Sequence, residues 1–206
     1  MKIGKSKKAI LAAIAVSVAI MIFSACKKQP EPNTQTQTQA QTEQKVLIVY
    51  FSHSGNTKAV AQYIQSFVGG DLAQIKTEQA YTDDQDALLA QAREEFNNNF
   101  RPALANKIEN LENYDTVFLG FPIWFSSVPM VILTFLETHD LSNKTVIPFS
   151  TRGGGNIGES VERVRKALPN STVLDGFHDI NRANFSQARE LTENWMKNAG
   201  YCRVCP

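Results

Sequence analysis

From Lys45 onward the chain is predicted to fold as an α/β domain, a doubly wound five-stranded parallel sheet with helices on both faces. Two observations predict this class. Short apolar segments alternate with amphipathic segments five times, as in sheets where each strand is followed by a helix. The first apolar segment, residues 45–51, is continuous rather than alternating, which is typical of a strand buried on both faces.

The five strands are predicted at residues 45–51, 71–75, 116–120, 144–150 and 172–177. Pro148 lies within the fourth segment and has no N–H to donate to a sheet. We therefore expect Pro148 near the carboxyl end of that strand, where pairing has stopped. In doubly wound sheets, ligands bind beyond the carboxyl ends of the strands, where strand order reverses.

Five helices are predicted to alternate with these strands. The first, residues 57–68, ends at Gly69 and Gly70, which stop a helix. The second stretch, residues 83–110, is helical in pattern but is interrupted by three Asn residues and by Pro102. The others start near Pro129, after Gly155 and at about Ser186.

The first 25 residues are predicted to be an export signal. Lysines up to Lys8 precede an apolar stretch of roughly 15 residues, which is shorter than the ~20 residues a spanning helix needs. The sequence Phe-Ser-Ala-Cys that ends at Cys26 resembles the lipobox of bacterial lipoproteins. The resemblance implies that Cys26 is lipidated and that the protein is exported and anchored to a membrane outside the cytoplasm. An uncleaved anchor and a plain signal peptide are the alternatives.

Residues 26–44 are predicted to be a flexible tether. They are rich in Thr and Gln and contain no large apolar side chain, so burial cannot offset the entropy lost on ordering. A coil of this length has a root-mean-square span of about 25 Å. Such a tether holds a domain near a membrane surface and leaves it free to turn.

The charge of the chain argues against nucleic acid as a partner. Six of the 21 basic residues and two of the 20 acidic residues precede Lys45, so the remainder has a net charge of −3. Once the residues before Lys45 are set aside, the rest of the chain has no basic patch of the kind that binds nucleic acid. The choice between a monomer and a homodimer stays open at this stage.

The loop after the first strand is predicted to bind a phosphate. It comprises Ser52, His53, Ser54, Gly55, Asn56 and Thr57. Backbone N–H groups and the positive end of the following helix attract an anion without Lys or Arg. The alternative is a turn in which one hydroxyl caps the helix, and it stays open. His53 could contact the phosphate or be an exposed loop residue.

The sequence resembles the flavodoxin family in three loops that occur in the family's order. Ser-x-Ser-Gly-Asn-Thr is similar to the family's phosphate loop. The segment containing Pro122, Ile123, Trp124 and Phe125 is similar to the loop that holds the flavin ring. The segment containing Thr151, Arg152, Gly153 and Gly154 resembles the loop at the pyrimidine edge of the ring. The resemblance implies strand order 2-1-3-4-5 and FMN as cofactor, bound by the residues of these three loops.

The residue types of these loops suit a flavin. Trp124 offers an aromatic plane for stacking, its alternative role being that of a core residue. The glycines from Gly153 allow backbone N–H groups to approach the ring closely. Many flavodoxins have a second aromatic residue in the third loop, and here Thr151, Arg152 and Gly153 supply none. One face of the flavin is therefore expected to stay open, which favours reaction with a substrate.

Other interpretations of these motifs are weaker. Gly153, Gly155 and Gly158 match a dinucleotide-binding pattern, but they lie in the fourth strand–helix unit rather than the first. A serine hydrolase needs Gly before its nucleophile, and Ser52 stands at that position relative to Ser54. A receiver domain needs an acidic pair after the first strand, where this chain has Ser52 and His53.

The other histidines and the carboxyl-terminal cysteines are not predicted to form a metal site or a catalytic site. His139 and His178 are predicted to be loop residues without metal-ligand partners. Cys202 and Cys205 form a Cys-x-x-Cys after the last helix, where the helix dipole does not lower a thiol pKa. A disulfide between them, or two thiols without a redox role, fits an exported protein. The alternative is that the two cysteines relay electrons to the flavin.

Three classes of function remain. The favoured one is an FMN oxidoreductase that moves electrons between a nicotinamide or protein donor and a quinone-like or other small acceptor. The second is a flavodoxin-type electron carrier with a protein partner and no substrate of its own. The third is a non-redox binding module on the same fold.

Overall fold

One parallel sheet forms the centre of the computed structural model, which describes residues 45–201. Its strands are β1 (Val46–Tyr50), β2 (Asp71–Gln74), β3 (Thr116–Pro122), β4 (Thr145–Arg152), β5 (Thr172–Val173) and β6 (Phe177–Asn181). The order is β2-β1-β3-β4-β5, and β6 also pairs with β4. The predicted fold and strand order are therefore confirmed. The predicted signal peptide, the predicted tether and the Cys-x-x-Cys sequence lie outside the described residues.

Five helices cover the two faces of the sheet. They are α1 (Asn56–Val68), α2 (Gln85–Asn97), α3 (Met130–Thr138), α4 (Ser160–Ala167) and α5 (Ala188–Asn198). Successive strand residues point to opposite faces, so Ile48 packs in the core with α1 and α5, and Leu47 packs in the core with α2, α3 and α4. Between residues 45 and 201, none of the helices has the length and apolar character needed to cross a membrane.

The fifth strand position is divided in two, which corrects the continuous strand predicted at 172–177. The strand is interrupted at Gly176, whose φ is +77°. A Cβ at that position would overlap the carbonyl oxygen of Pro148. Pro148 lies in the middle of β4, paired with Leu119, so its expected place at the strand end was wrong. The carbonyl oxygen of Pro148 faces Gly176, and in a parallel strand the N and O of one residue face the same side. The nitrogen of Pro148 therefore faces the interruption between β5 and β6, where it needs no acceptor.

The helical stretch predicted at 83–110 is also shorter than expected. The helix α2 ends at Asn97, and Asn99 adopts a left-handed φ of 50°. The chain then runs back beside the end of β2, where the N–H of Ala105 donates to the carbonyl oxygen of Lys76 at 2.8 Å. Asn tolerates the left-handed conformation and Pro102 has no N–H for a helix, so this stretch turns instead of continuing.

Candidate functional site

A cavity of about 430 Å³ lies where β1, β3, β4 and β6 end. We call it the site cavity. Ten of the predicted site residues line it: His53, Ser54, Asn56, Thr57, Pro122, Ile123, Trp124, Thr151, Arg152 and Gly153. The structure thus brings all three predicted loops to one place. Four predicted residues do not line the cavity: Ser52, Gly55, Phe125 and Gly154.

The first loop leads into α1 without a side-chain cap. Gly55 occupies the cap position with φ 88° and ψ −14°, and no side chain of the described residues accepts a hydrogen bond from the first turn there. The interpretation of this loop as a helix cap is therefore wrong. Thr57 is buried, and its hydroxyl lies 2.8 Å from that of Thr151, which joins the first turn of α1 to the end of β4. The N–H groups that begin α1 remain available to an anion.

The second loop is a tight turn in a strained conformation. Trp124 and Ser127 exchange two backbone hydrogen bonds of 3.0 and 2.9 Å, and the residues between them, Phe125 and Ser126, both have left-handed φ values, 51° and 55°. Such conformations cost non-glycine residues about 1–3 kcal/mol each and cluster at functional sites. The Phe125 ring packs on α2, 4.4 Å from the guanidinium carbon of Arg93, and not in the site cavity.

Two perpendicular ring contacts fix Trp124 at the wall of the cavity. Its ring lies 5.6 Å from that of Phe51 and 5.1 Å from that of Tyr81. The Tyr81 hydroxyl donates to buried Glu95 at 2.7 Å, and burial beside this carboxylate raises the pKa of Tyr81 far above its usual value. Tyr81 therefore stays a neutral donor, and Trp124 is half-buried against a rigid aromatic pair.

The third loop is open at its start and tightly packed at its end. No atom lies within 4 Å of a Cβ built at Gly153 or Gly154, so their backbone is accessible to a ligand. At Gly158, φ is +53° and a Cβ would overlap the carbonyl oxygen of Ser126 in the second loop. The last Gly of the dinucleotide-like pattern is thus explained by packing between two loops.

The sequence profile of flavodoxins matches residues 45–199. This chain belongs to the flavodoxin family. The match covers the whole described domain except its last two residues. Comparison with curated proteins gave no match.

Solved structures agree with this assignment. A protein of Bacteroides eggerthii assigned as a flavoprotein is 34% identical, covers 76% of this chain and 98% of its own, and has a TM-score of 0.64. One from Bacteroides uniformis is 33% identical over 75% of this chain and 98% of its own, with a TM-score of 0.66. A Lactobacillus acidophilus flavoprotein in complex with FMN shares the fold at 24% identity, with coverages of 72% and 99% and a TM-score of 0.59.

Two segments of this flavodoxin enter the site cavity without having been predicted. The first turns of α2 contribute Gln85, Leu88 and Leu89, and the chain after β6 contributes Asn181, Arg182 and Phe185. A fifth strand extended to Asn181 would have placed Asn181 and Arg182 at the carboxyl ends of the strands. For the α2 residues the sequence carries no such signal, because only tertiary packing brings them to the cavity.

The lining of the cavity is cationic although the domain is acidic. Arg152 and Arg182 line it, and no Asp or Glu of the described residues does. Neither arginine forms an ion pair within residues 45–201. The same part of the chain has no cluster of three groups that could hold a metal. The cavity therefore favours an anionic ligand.

The other two histidines have structural roles in this flavodoxin. His178 lies in β6, so its prediction as a loop residue was wrong. Its Nε2–H donates to the carbonyl oxygen of Asp175 at 2.7 Å, and the Ser150 hydroxyl donates to its Nδ1 at 2.8 Å. Burial lowers the pKa of His178 below its usual value. His139 directly follows α3 and accepts the N–H of Ile108 at 3.2 Å.

Proposed function

We propose that this flavodoxin binds FMN in the site cavity and transfers electrons through it. The observation that carries the proposal is the convergence of the three family loops on one cavity with an uncapped helix start. The groups present fit the cofactor. Donors at Ser54, Asn56 and the start of α1 suit a phosphate, Trp124 suits an aromatic ring, and the open backbone at Gly153 suits the polar edge of that ring.

Each loop has a separate part in holding the cofactor. The first loop binds the phosphate through N–H groups and the Ser54 hydroxyl. Trp124, fixed by Phe51 and Tyr81, orients the ring. The third loop binds the pyrimidine edge, where Arg152 places a positive charge. When bound, FMN supplies the electron-transfer chemistry, and the protein supplies position and electrostatics.

We infer further that the protein is an oxidoreductase rather than a carrier alone. In support, Thr151, Arg152 and Gly153 provide no second aromatic cover for the ring. On the α2 side, two of the three lining residues are apolar, with Leu88 buried and Leu89 40% exposed beside Gln85, and this suits a small apolar or aromatic acceptor such as a quinone. The donor in this proposal is a nicotinamide or a protein. The proposed location is outside the cytoplasm, with lipid at Cys26 as the membrane anchor.

An absorbance spectrum of the full chain purified from cells, before and after addition of FMN, tests the first proposal. We expect flavin bands in the bound protein after free FMN has been removed. A colourless protein in both cases would contradict FMN binding and leave the binding-module alternative. Steady turnover of a nicotinamide with a quinone by the isolated protein then supports the oxidoreductase, and its absence supports the carrier.

A further inference from the structure

The turn after β6 places Arg182 at the site cavity. The Asn184 side chain accepts the N–H of Asn181 at 2.7 Å and donates to the carbonyl oxygen of Asp179 at 2.7 Å. The Asn181 side chain accepts the N–H of Ala183 at 2.9 Å. These bonds fix the backbone on both sides of Arg182. Its side chain is exposed, lines the cavity and forms no ion pair within the described residues.

This turn lies beside the start of α1. The Thr57 and Thr151 hydroxyls are 2.8 Å apart, and in the sheet Thr151 pairs with Ile180 and Arg152 with Asn181. Neighbouring strands are about 5 Å apart. The chain at Ile180, two residues before Arg182, is therefore one strand spacing from Thr151, whose hydroxyl contacts the first turn of α1. Arg182, Asn56 and Thr57 all line the site cavity.

The first loop lacks a cation of its own. Residues 52–57 contain no Lys or Arg, and Lys58 does not line the cavity. Neutral donors alone would then face a phosphate that carries close to two negative charges. A guanidinium contributes charge and a planar pair of N–H donors that matches phosphate geometry.

We propose that Arg182 binds the phosphate of FMN together with the start of α1. This inference rests on the proposed function and adds a residue outside the three loops. It divides the two cavity arginines by role, with Arg182 at the phosphate and Arg152 at the ring. Discrimination between FMN and riboflavin, which lacks the phosphate, then depends on Arg182.

The test is fluorescence titration of the full chain, stripped of bound flavin, with FMN and with riboflavin. In Arg182→Gln we expect FMN affinity to fall at least about tenfold, the loss typical of a charge-assisted hydrogen bond. Riboflavin affinity should change less than about twofold, and this also shows that the variant is folded. Arg182→Lys should recover part of the loss, because it keeps the charge but not the planar donor pair.

Arg189→Gln is the matched control, since it removes the same charge from an exposed position seven residues along the chain and outside the cavity. It should leave both affinities unchanged. Equal losses for the two flavins in Arg182→Gln, no loss for either, or the same FMN loss in Arg189→Gln would overturn the role of Arg182 alone. A wild-type chain that binds neither flavin would overturn the proposed function together with this inference.

Discussion

The hydroxyls of Ser54 and Thr57 differ in what surrounds them. Thr57 is 1% exposed, and its hydroxyl is shared with that of Thr151. Ser54 is exposed and has no hydrogen-bond partner among the described side chains. A change at Thr57 therefore disturbs the contact between α1 and β4 as well as the loop, whereas a change at Ser54 affects only what the loop binds.

Ser54→Ala should weaken FMN binding at least about tenfold, because a hydrogen bond to a charged phosphate contributes roughly 1.5–3 kcal/mol. Riboflavin binding should hardly change. Fluorescence titration with both flavins measures the difference. Thr57→Ala serves as a comparison and should weaken both flavins, because it also removes a buried hydroxyl contact. An equal effect of Ser54→Ala on the two flavins would show that this hydroxyl does not hold the phosphate.

Arg152→Ala should lower the midpoint potential of bound FMN. Reduction adds negative charge to the flavin ring, and a neighbouring cation stabilises an anion. The expected fall is about 30 mV for each 1.4 kcal/mol of lost attraction in a two-electron couple. Redox titration measures it, with Arg189→Ala as a control for net charge. A midpoint that stays constant or rises would show that Arg152 does not act on the ring.

At the scale of elements, the second and third loops support each other through one contact. Ser126, strained at φ 55°, accepts the N–H of Glu159 at 3.1 Å, and Gly158 lies directly against its carbonyl group. The turn that carries Trp124 and the segment that begins α4 are therefore built as one unit. A strained turn persists only where its surroundings hold it in place.

Gly158→Ala should destabilise the domain by at least about 2 kcal/mol, since a left-handed alanine costs about 1–2 kcal/mol and the new Cβ also displaces the Ser126 carbonyl. Urea unfolding of the flavin-free protein gives the free energy. Gly154→Ala is the control, because its Cβ meets nothing within 4 Å and its φ is ordinary. If the two variants were equally stable, the contact between the loops would not be a structural requirement.

The sequence predicted most elements because buried parallel strands are continuous apolar runs, and these are visible without tertiary information. It did not predict β6. Phe177 and Ile180 are its buried residues, three apart rather than two, because the register shifts between Phe149 and Thr151 in the partner strand. A bulge of this kind removes the alternation that marks a strand. With β6 unrecognised, Asn181, Arg182 and Phe185 were not placed at the site.

For the whole molecule, the free energy of unfolding should fall as the pH drops below about 6.5. Burial lowers the pKa of both His139 and His178 below the ordinary histidine value, which is about 6.5, so the unfolded chain takes up protons before the folded chain does as the pH falls. The contribution of the two neutral histidines to the free energy of unfolding is therefore complete above their pKa in the unfolded chain. It is lost as the pH falls through their lower pKa values in the folded chain. Urea midpoints between pH 8 and 5 measure this, and His178→Gln should flatten the curve.

Cys26→Ala should release the protein from the membrane without loss of FMN binding. The predicted lipid anchor lies 19 residues before Lys45, and the site cavity is built from residues between His53 and Phe185. Fractionation and an absorbance spectrum of the soluble form measure the two effects. Retention in the membrane would contradict lipidation at Cys26, and loss of flavin would contradict a domain boundary near Lys45.

Lys45 enters β1 at the edge of the sheet where the strands begin, and the site cavity opens at the edge where they end. The two edges are separated by the length of β1, five residues, or roughly 17 Å. A tether that joins the domain at Lys45 is therefore attached at the end opposite the site cavity. The attachment leaves the mouth of the cavity free for an electron donor or acceptor. A protein fused ahead of Lys45 should likewise leave that edge free.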